Sequence, residues 1–342
     1  MRRRPFVITR LLVVLLAAIA AAGCTTVDRP ATTPRAAGDD PAPPDAAIID
    51  PLPSWHDTDE KRAILDFVMR VTRPDSPDFL PPAQRVATFD FDGTIGCEKP
   101  DYMEVMVAVK RLCERATEDP ALRDEDLYRA ACDGDLATIN SQVEDALLEA
   151  FEGASQRDYV DTVARFLDTQ RHPRFDRPYG QLHYAPMREL IDWLRRRDFA
   201  VHIVSGSQQG FTRTYASHVL GLAPAHAIGH AVALDFAVVD DAPVLQRQDA
   251  FRAPSIDGKG KAEVIRQRIG QRPVLAFGNS MGDFEMLQYA TSGPDPGLAL
   301  ILVHDDPDEY VYRDETLIGH AESSGWRIVR MAESFRTIFA ER

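Results

Sequence analysis

Only four cysteines occur in 342 residues, and none has the spacing of a C-x-x-C pair or of a Cys/His metal knuckle. Thiolate metal centres and dithiol redox chemistry are therefore excluded as readings. Positive charge is scarce too: 39 Lys and Arg stand against 53 Asp and Glu, for a formal net charge of −14. No basic cluster of five or more occurs beyond the N-terminal region, and an acidic surface repels nucleic-acid phosphates, so no nucleic acid partner is expected. No apolar run reaches the ~20 residues that a membrane-spanning helix needs. Internal repeats are absent as well. The remaining composition, 44% hydrophobic and 27% charged, is that of a chain able to bury a sizeable core.

What is present begins with a targeting pattern. Met1-Arg2-Arg3-Arg4 is a basic start, and Leu11 to Ala22 is an apolar run ending in small residues. Ala21-Ala22-Gly23-Cys24 then resembles a lipoprotein cleavage box, with Ala21 where Leu is usual. That resemblance implies a signal peptide over 1–23, a lipid on Cys24, and export to a membrane surface facing the periplasm or the cell exterior. An ordinary secretory signal is the alternative, and Arg3-Arg4-Pro5-Phe6 faintly resembles a twin-arginine signal. Removing residues 1–23, with four arginines and no acid, would leave a charge of −18. Residues 24–55 hold seven prolines among Ala, Thr and Asp, and read as a disordered tether that can bury little. Downstream, Cys97, Cys113 and Cys132 are odd in number. At least one is unpaired, and either Cys97–Cys113 or Cys113–Cys132 could be bridged outside the cytoplasm.

From residue 56 to 342 short apolar runs alternate with helical patterns. Val86–Phe89, Phe199–Val204, Val274–Phe277, Leu298–Val303 and Trp326–Val329 are apolar on both faces, as central strands of a parallel sheet are. Stripes such as Met187, Leu190, Ile191 and Leu194 mark helices between them, and residues 59–73 add one ahead of the first strand. Strand–helix alternation predicts an α/β fold with a doubly wound parallel sheet. Between the first two strands no strand pattern is found. Val105–Leu112, Leu136–Phe151 and Tyr159–Leu167 read as helices, so an α-helical cap is expected at about 97–182. Residues 226–248 predict a small hairpin turning at Asp240-Asp241-Ala242-Pro243.

Four motifs fall where such sheets bind ligands, near the carboxyl ends of strands or the start of a helix. Asp90-Phe91-Asp92-Gly93-Thr94 sets two carboxylates on one strand end. A calcium loop fails here, because no Asp or Asn stands at the third ligand position and no Glu at the twelfth. A carboxylate pair on a buried strand is costly without a partner, and a cation is the natural one. Ser205-Gly206-Ser207 offers a hydroxyl and amides to an anion. Asp257-Gly258-Lys259-Gly260-Lys261 brings lysines to a helix start, and Gly278-Asn279-Ser280-Met281-Gly282-Asp283 supplies oxygens four residues apart.

In this order the motifs resemble the haloacid dehalogenase superfamily, over about residues 56–342. The position of the insert is similar to that of the helical-cap branch that includes phosphoserine phosphatases. Thr94-Ile95-Gly96-Cys97-Glu98-Lys99-Pro100 resembles a subgroup of bacterial hydrolases with Trp-Cys-Glu-Gln-Pro there. The resemblance implies a Mg²⁺-dependent phosphomonoesterase acting on a small phosphoester. Asp90 would be the nucleophile and Asp92 the acid and base; Ser205, Gly206 and Lys261 would hold phosphate. Asp90, Asp92, Asn279 and Asp283 would hold Mg²⁺, with Asn279 standing where the family often has Asp. Glu98 would meet a substrate's cationic group. Two alternatives stay open: transfer of the phosphoryl group to an acceptor alcohol, or a decayed domain serving as a lipid-tethered binding protein.

Overall fold

A computed structural model describes residues 50–340. The expected signal peptide, the lipidated Cys24 and most of the tether lie outside the described residues. In chain order the helices are α1 (Asp59–Thr72), α2 (Met103–Glu118), α3 (Asp126–Asp133), α4 (Leu136–Ser141), α5 (Val143–Glu149), α6 (Gln156–Thr169), α7 (Ala185–Arg196), α8 (Gln209–His218), α9 (Lys259–Arg268), α10 (Phe284–Thr291) and α11 (Glu315–Ser324). The strands are β1 (Val86–Phe89), β2 (Ala200–Gln208), β3 (Ala227–His230), β4 (Val232–Val239), β5 (Ala242–Phe251), β6 (Leu275–Gly278), β7 (Leu298–Val303) and β8 (Arg327–Arg330).

Six strands form one sheet in the order β3-β2-β1-β6-β7-β8, parallel throughout, as the apolar runs predict. Residues alternate between its faces with the period of two that a strand imposes. Leu275, Phe277, Leu300 and Leu302 join one buried cluster, while Ala276, Ala299, Ile301 and Val303 join the other. From β1 the chain steps outward to β2 and β3, then returns to place β6 on the other side of β1. Strand order therefore reverses between β1 and β6, and that crevice is where such sheets bind ligands.

Above it, α2 to α6 occupy the stretch between the first two strands, and a Cys113–Cys132 disulfide ties α2 to α3. Cys97 is the free, buried thiol. Two local expectations change. Residues 136–151 are not one helix: the backbone breaks at Gln142, separating α4 from α5, and the short α3 before them has no counterpart in the sequence reading. The hairpin is β4–β5 rather than 226–248, because Ala227–His230 is long enough to pair in parallel with β2. Its turn is Asp240–Asp241, both with positive φ (48° and 62°), a pattern that two-residue hairpin turns favour.

Residues 50–55, assigned by composition to the tether, pack on the core. Leu52 and Trp55 are fully buried, and the Trp55 indole N–H donates to the Pro186 carbonyl at 2.9 Å. One tryptophan outweighs its proline-rich surroundings because it buries a large apolar area and still satisfies its polar edge.

Candidate active site

The end of β1 delivers Asp90 to the floor of the crevice, where its amide donates to the Phe277 carbonyl of β6 at 2.9 Å. The next turn reverses sharply at Gly93, whose φ is +71°. A Cβ there would stand 2.1 Å from the Asn279 amide nitrogen, so both the conformation and the space require glycine. A cavity of about 390 Å³ opens above this turn. Asp90, Asp92 and Lys261 line its floor, and Glu98, Tyr102, Glu104 and Glu144 line its upper wall.

Lys261, buried at the start of α9, sits between two carboxylates. Its Nζ is 2.5 Å from Asp90 Oδ1 and 2.6 Å from Asp283 Oδ1. Burial alone would lower its pKa, but Asp283 and Asp90 hold the ammonium above its ordinary value. Asp90 is pushed up to about 7 by burial and by Asp283, against the pull of Lys261. Asp92 is also raised well above a usual carboxylate, first by burial and then by Asp90. Its Oδ2 accepts from Ser207 Oγ at 2.8 Å, while its Oδ1 is buried with no hydrogen-bond partner among the described residues. An unpartnered oxygen on a carboxyl of raised pKa is a place for a proton.

Two of the expected site residues have further partners, and Ser205 also donates to Asp92 Oδ2 at 3.5 Å. Asp283, expected on the metal, has both oxygens in use: Oδ1 accepts from Lys261, and Oδ2 accepts the amides of Asn279 (2.9 Å) and Ser280 (3.1 Å). The reason is local. Four residues after Asn279, the chain has wound back under its own turn, which brings the carboxylate to the lysine that Asp90 also meets. Ser205, expected on phosphate, is fully buried; its hydroxyl accepts the Ser207 amide at 3.0 Å. Gly206 and Ser207 face the cavity in its place. Ser207 lay inside the quoted motif, so spacing alone could have suggested it.

Asn279 is the side chain that approaches the aspartates. Its terminal amide atom lies 3.1 Å from the Asp92 carbonyl, 3.3 Å from Asp90 Oδ2 and 3.2 Å from Thr94 Oγ1. With nitrogen facing them the amide donates and is satisfied; with oxygen facing them, Asp90 Oδ2, the Asp92 carbonyl and Asn279 Oδ1 form an all-oxygen set. Ligand oxygens around a small hard cation lie about 3 Å apart, so these residues fit Mg²⁺ in the second orientation. Among the described residues no cluster of three or more His, Cys, Asp or Glu is arranged for a metal.

Glu98 lies on the cavity wall, 7% exposed, with the Lys99 ammonium 3.9 Å away. Glu104, from the first turn of α2, carried no motif and was missed in the sequence. Its carboxylate accepts the Gln208 amide at 2.8 Å and the Tyr159 hydroxyl at 3.2 Å, and burial pushes its pKa up to about 7. Arg247 of β5 lies 3.8 Å over the Tyr159 ring and donates to Gln208, joining the hairpin to this wall.

Known proteins resemble the chain in the same places. A model of haloacid dehalogenase-like hydrolases matches residues 87–288. Among solved structures, a protein of unknown function from Anaerococcus prevotii is 15% identical, with a TM-score of 0.51 over 79% of this chain and 91% of that one. A cytosolic 5′-nucleotidase IIIB bound to cytidine is 13% identical, with a TM-score of 0.43 over 79% and 84% of the two chains. A phosphoserine phosphohydrolase-like protein from Francisella tularensis is 16% identical, with a TM-score of 0.35 over 69% and 98%. No curated protein matches the sequence significantly. The family match runs from β1, which delivers Asp90, through the lysine and the Asn279–Asp283 turn, and it covers more than half of the sequence: the chain belongs to the haloacid dehalogenase-like hydrolases.

Proposed function

We propose that the protein is a phosphomonoesterase that cleaves small phosphoesters through an aspartyl-phosphate. One observation carries this reading: two aspartates two residues apart are held in different states. Burial raises both carboxyls, but Asp90 is pinned by Lys261, whereas Asp92 keeps one oxygen without a partner. Acids held by such different partners can divide the roles of nucleophile and acid.

In the first step an Asp90 oxygen bonds to phosphorus and the P–O bond to the leaving group breaks. The leaving alkoxide takes its proton from Asp92. In the second step Asp92 takes a proton from water, whose oxygen bonds to phosphorus and releases inorganic phosphate from Asp90. Lys261 offsets the charge gathered on the floor, and the Gly206–Ser207 edge faces the phosphoryl oxygens. Mg²⁺, held by Asp90, the Asp92 carbonyl and Asn279, would lower the repulsion between an anionic nucleophile and an anionic ester. Glu98, Glu104 and Glu144 give the wall around the leaving group an acidic character that suits a cationic ester. We further infer that a lipid on Cys24 holds the enzyme at a bacterial membrane, outside the cytoplasm.

The deciding experiment is hydrolysis of an aryl phosphate by wild type and Asp90→Asn, each with and without Mg²⁺. Wild type should require the metal, and the variant should lose activity by roughly 10⁴-fold or more, as removal of a covalent nucleophile does. Equal rates in the two proteins would end the proposal.

A further inference from the structure

At the end of β7 lies a polar cluster that phosphoryl transfer does not use directly. Glu309 is fully buried, and His304 is 1% exposed. Four groups point at the Glu309 carboxylate. Oε1 accepts the Cys97 thiol at 3.0 Å and the Tyr184 hydroxyl at 3.1 Å; Oε2 accepts the Tyr310 amide at 2.6 Å and lies 3.2 Å from His304 Nδ1. Burial works against ionisation, but the hydrogen bonds from His304, Cys97 and Tyr310 outweigh it and hold this carboxyl below its ordinary range. An ionised carboxylate only accepts, so His304 Nδ1 carries a hydrogen. The other ring nitrogen, Nε2, is 2.7 Å from the Gly93 carbonyl oxygen, which also only accepts. The ring thus bridges the Glu309 carboxylate and the Gly93 carbonyl, and it is stacked on Tyr312 with centroids 4.2 Å apart.

The bond to Gly93 gives the cluster its reach. Gly93 is the residue between Asp92 and Thr94, and it offers no side chain by which the core could hold it. Thr94 fixes one side of the turn through Asp90 and Asn279. His304 fixes the other side through the backbone. Cys97 immediately precedes Glu98 on the cavity wall, and Tyr184 immediately precedes α7, so the same carboxylate ties down both ends of the chain passing through the helices above the crevice.

We propose that His304 and Glu309 are positioning residues for phosphoryl transfer: a buried imidazole–carboxylate pair that clamps the Gly93 carbonyl and so aims Asp92, which touches neither of them. This deepens the reading of Asp92 as the acid and rests on it. The clamp should act on kcat, because a displacement of about 1 Å in a reacting group can cost on the order of 100-fold, while the phosphate-facing residues stay in place and KM changes little.

The test has two arms. The first is ¹⁵N NMR of His304 in the intact wild-type protein near pH 7.5. A hydrogen on Nε2, shared with the Gly93 carbonyl, is expected; an unprotonated Nε2 overturns the clamp. The second is steady-state kinetics of His304→Leu/Glu309→Leu, in which both partners become apolar so that neither polar group is left buried alone, with His304→Gln beside it to keep one donor for Gly93. The double variant should lose kcat by roughly ten- to a hundredfold with KM within about twofold of wild type, and His304→Gln should recover part of the loss. A folded double variant with unchanged kcat, or with KM rising as much as kcat falls, overturns the proposal. Lack of hydrolysis by wild type is a separate result: it removes the phosphatase reading itself and leaves the NMR arm to judge the clamp.

Discussion

The floor of the crevice and the wall above it handle charge in opposite ways. On the floor, Lys261 lies between Asp90 and Asp283, and each carboxylate has a cation, amide or hydroxyl within hydrogen-bond distance, save one oxygen of Asp92. On the wall, Glu104 is held by the Gln208 amide and the Tyr159 hydroxyl, while Glu98 has the Lys99 ammonium 3.9 Å away and Glu144 faces the same cavity. The floor is built to be stable before a substrate arrives, and its geometry is fixed by β1, β6 and the start of α9. The wall leaves negative charge for something else to neutralise. Chemistry and selectivity are thereby assigned to different layers of the fold.

The contrast breaks most sharply if the floor is not compensated. Lys261→Met would leave Asp90 and Asp283 buried without their cation, and breaking one side of a buried ion pair costs about 3–5 kcal/mol. Urea unfolding without added divalent cation should show that loss; a variant as stable as wild type would mean that the floor tolerates bare carboxylates. On the wall the same kind of change should act on selectivity. Glu98→Gln should alter stability little, yet lower kcat/KM for ammonium-bearing esters roughly ten- to a hundredfold relative to neutral ones, the range of a hydrogen bond to a charged group. Unchanged selectivity would remove Glu98 from substrate recognition.

The smallest effect belongs to pH. Unfolded Glu104 releases its proton near the usual 4.5, while the folded protein holds it until about 7. The folded state thus binds the extra proton, so its stability from this group is greatest below 4.5 and is lost as pH rises toward 7. Between about pH 5 and pH 7.5 the melting temperature of Glu104→Gln should fall less than that of wild type. Coincident slopes would show that Glu104 is not held protonated.

How far the sequence foretold this arrangement depends on distance along the chain. The strand runs, the parallel sheet and the Asp90–Asp92 pair are local patterns, legible because burial on both faces and tight turns demand particular residues at fixed spacing. Asn279 and Asp283 were legible as a motif but not in their separate duties, since a four-residue turn can aim two side chains in different directions. Glu104 and Arg247 are 143 positions apart in the chain and meet only through the fold. His304 and Glu309 read as polar residues after a strand, and nothing in their neighbourhood points 211 residues back to Gly93. Trp55 was hidden for the opposite reason: its flanks have a composition that usually stays unfolded.

Trp55 also determines where force enters the molecule. Its ring meets Phe335 edge to face at 5.2 Å, its indole nitrogen is bonded to α7, and Ser54 beside it is bonded to Glu189 at 2.6 and 2.8 Å. A pull on the chain ahead of Asp50 would reach these bonds before it reached any strand of the sheet. The load would be shared among α7, the segment around Phe335 and α1, where Lys61 holds Asp50. These contacts join the start of the described chain to α7, α1 and the segment around Phe335, so a load applied there would be spread over three elements before it reached the crevice.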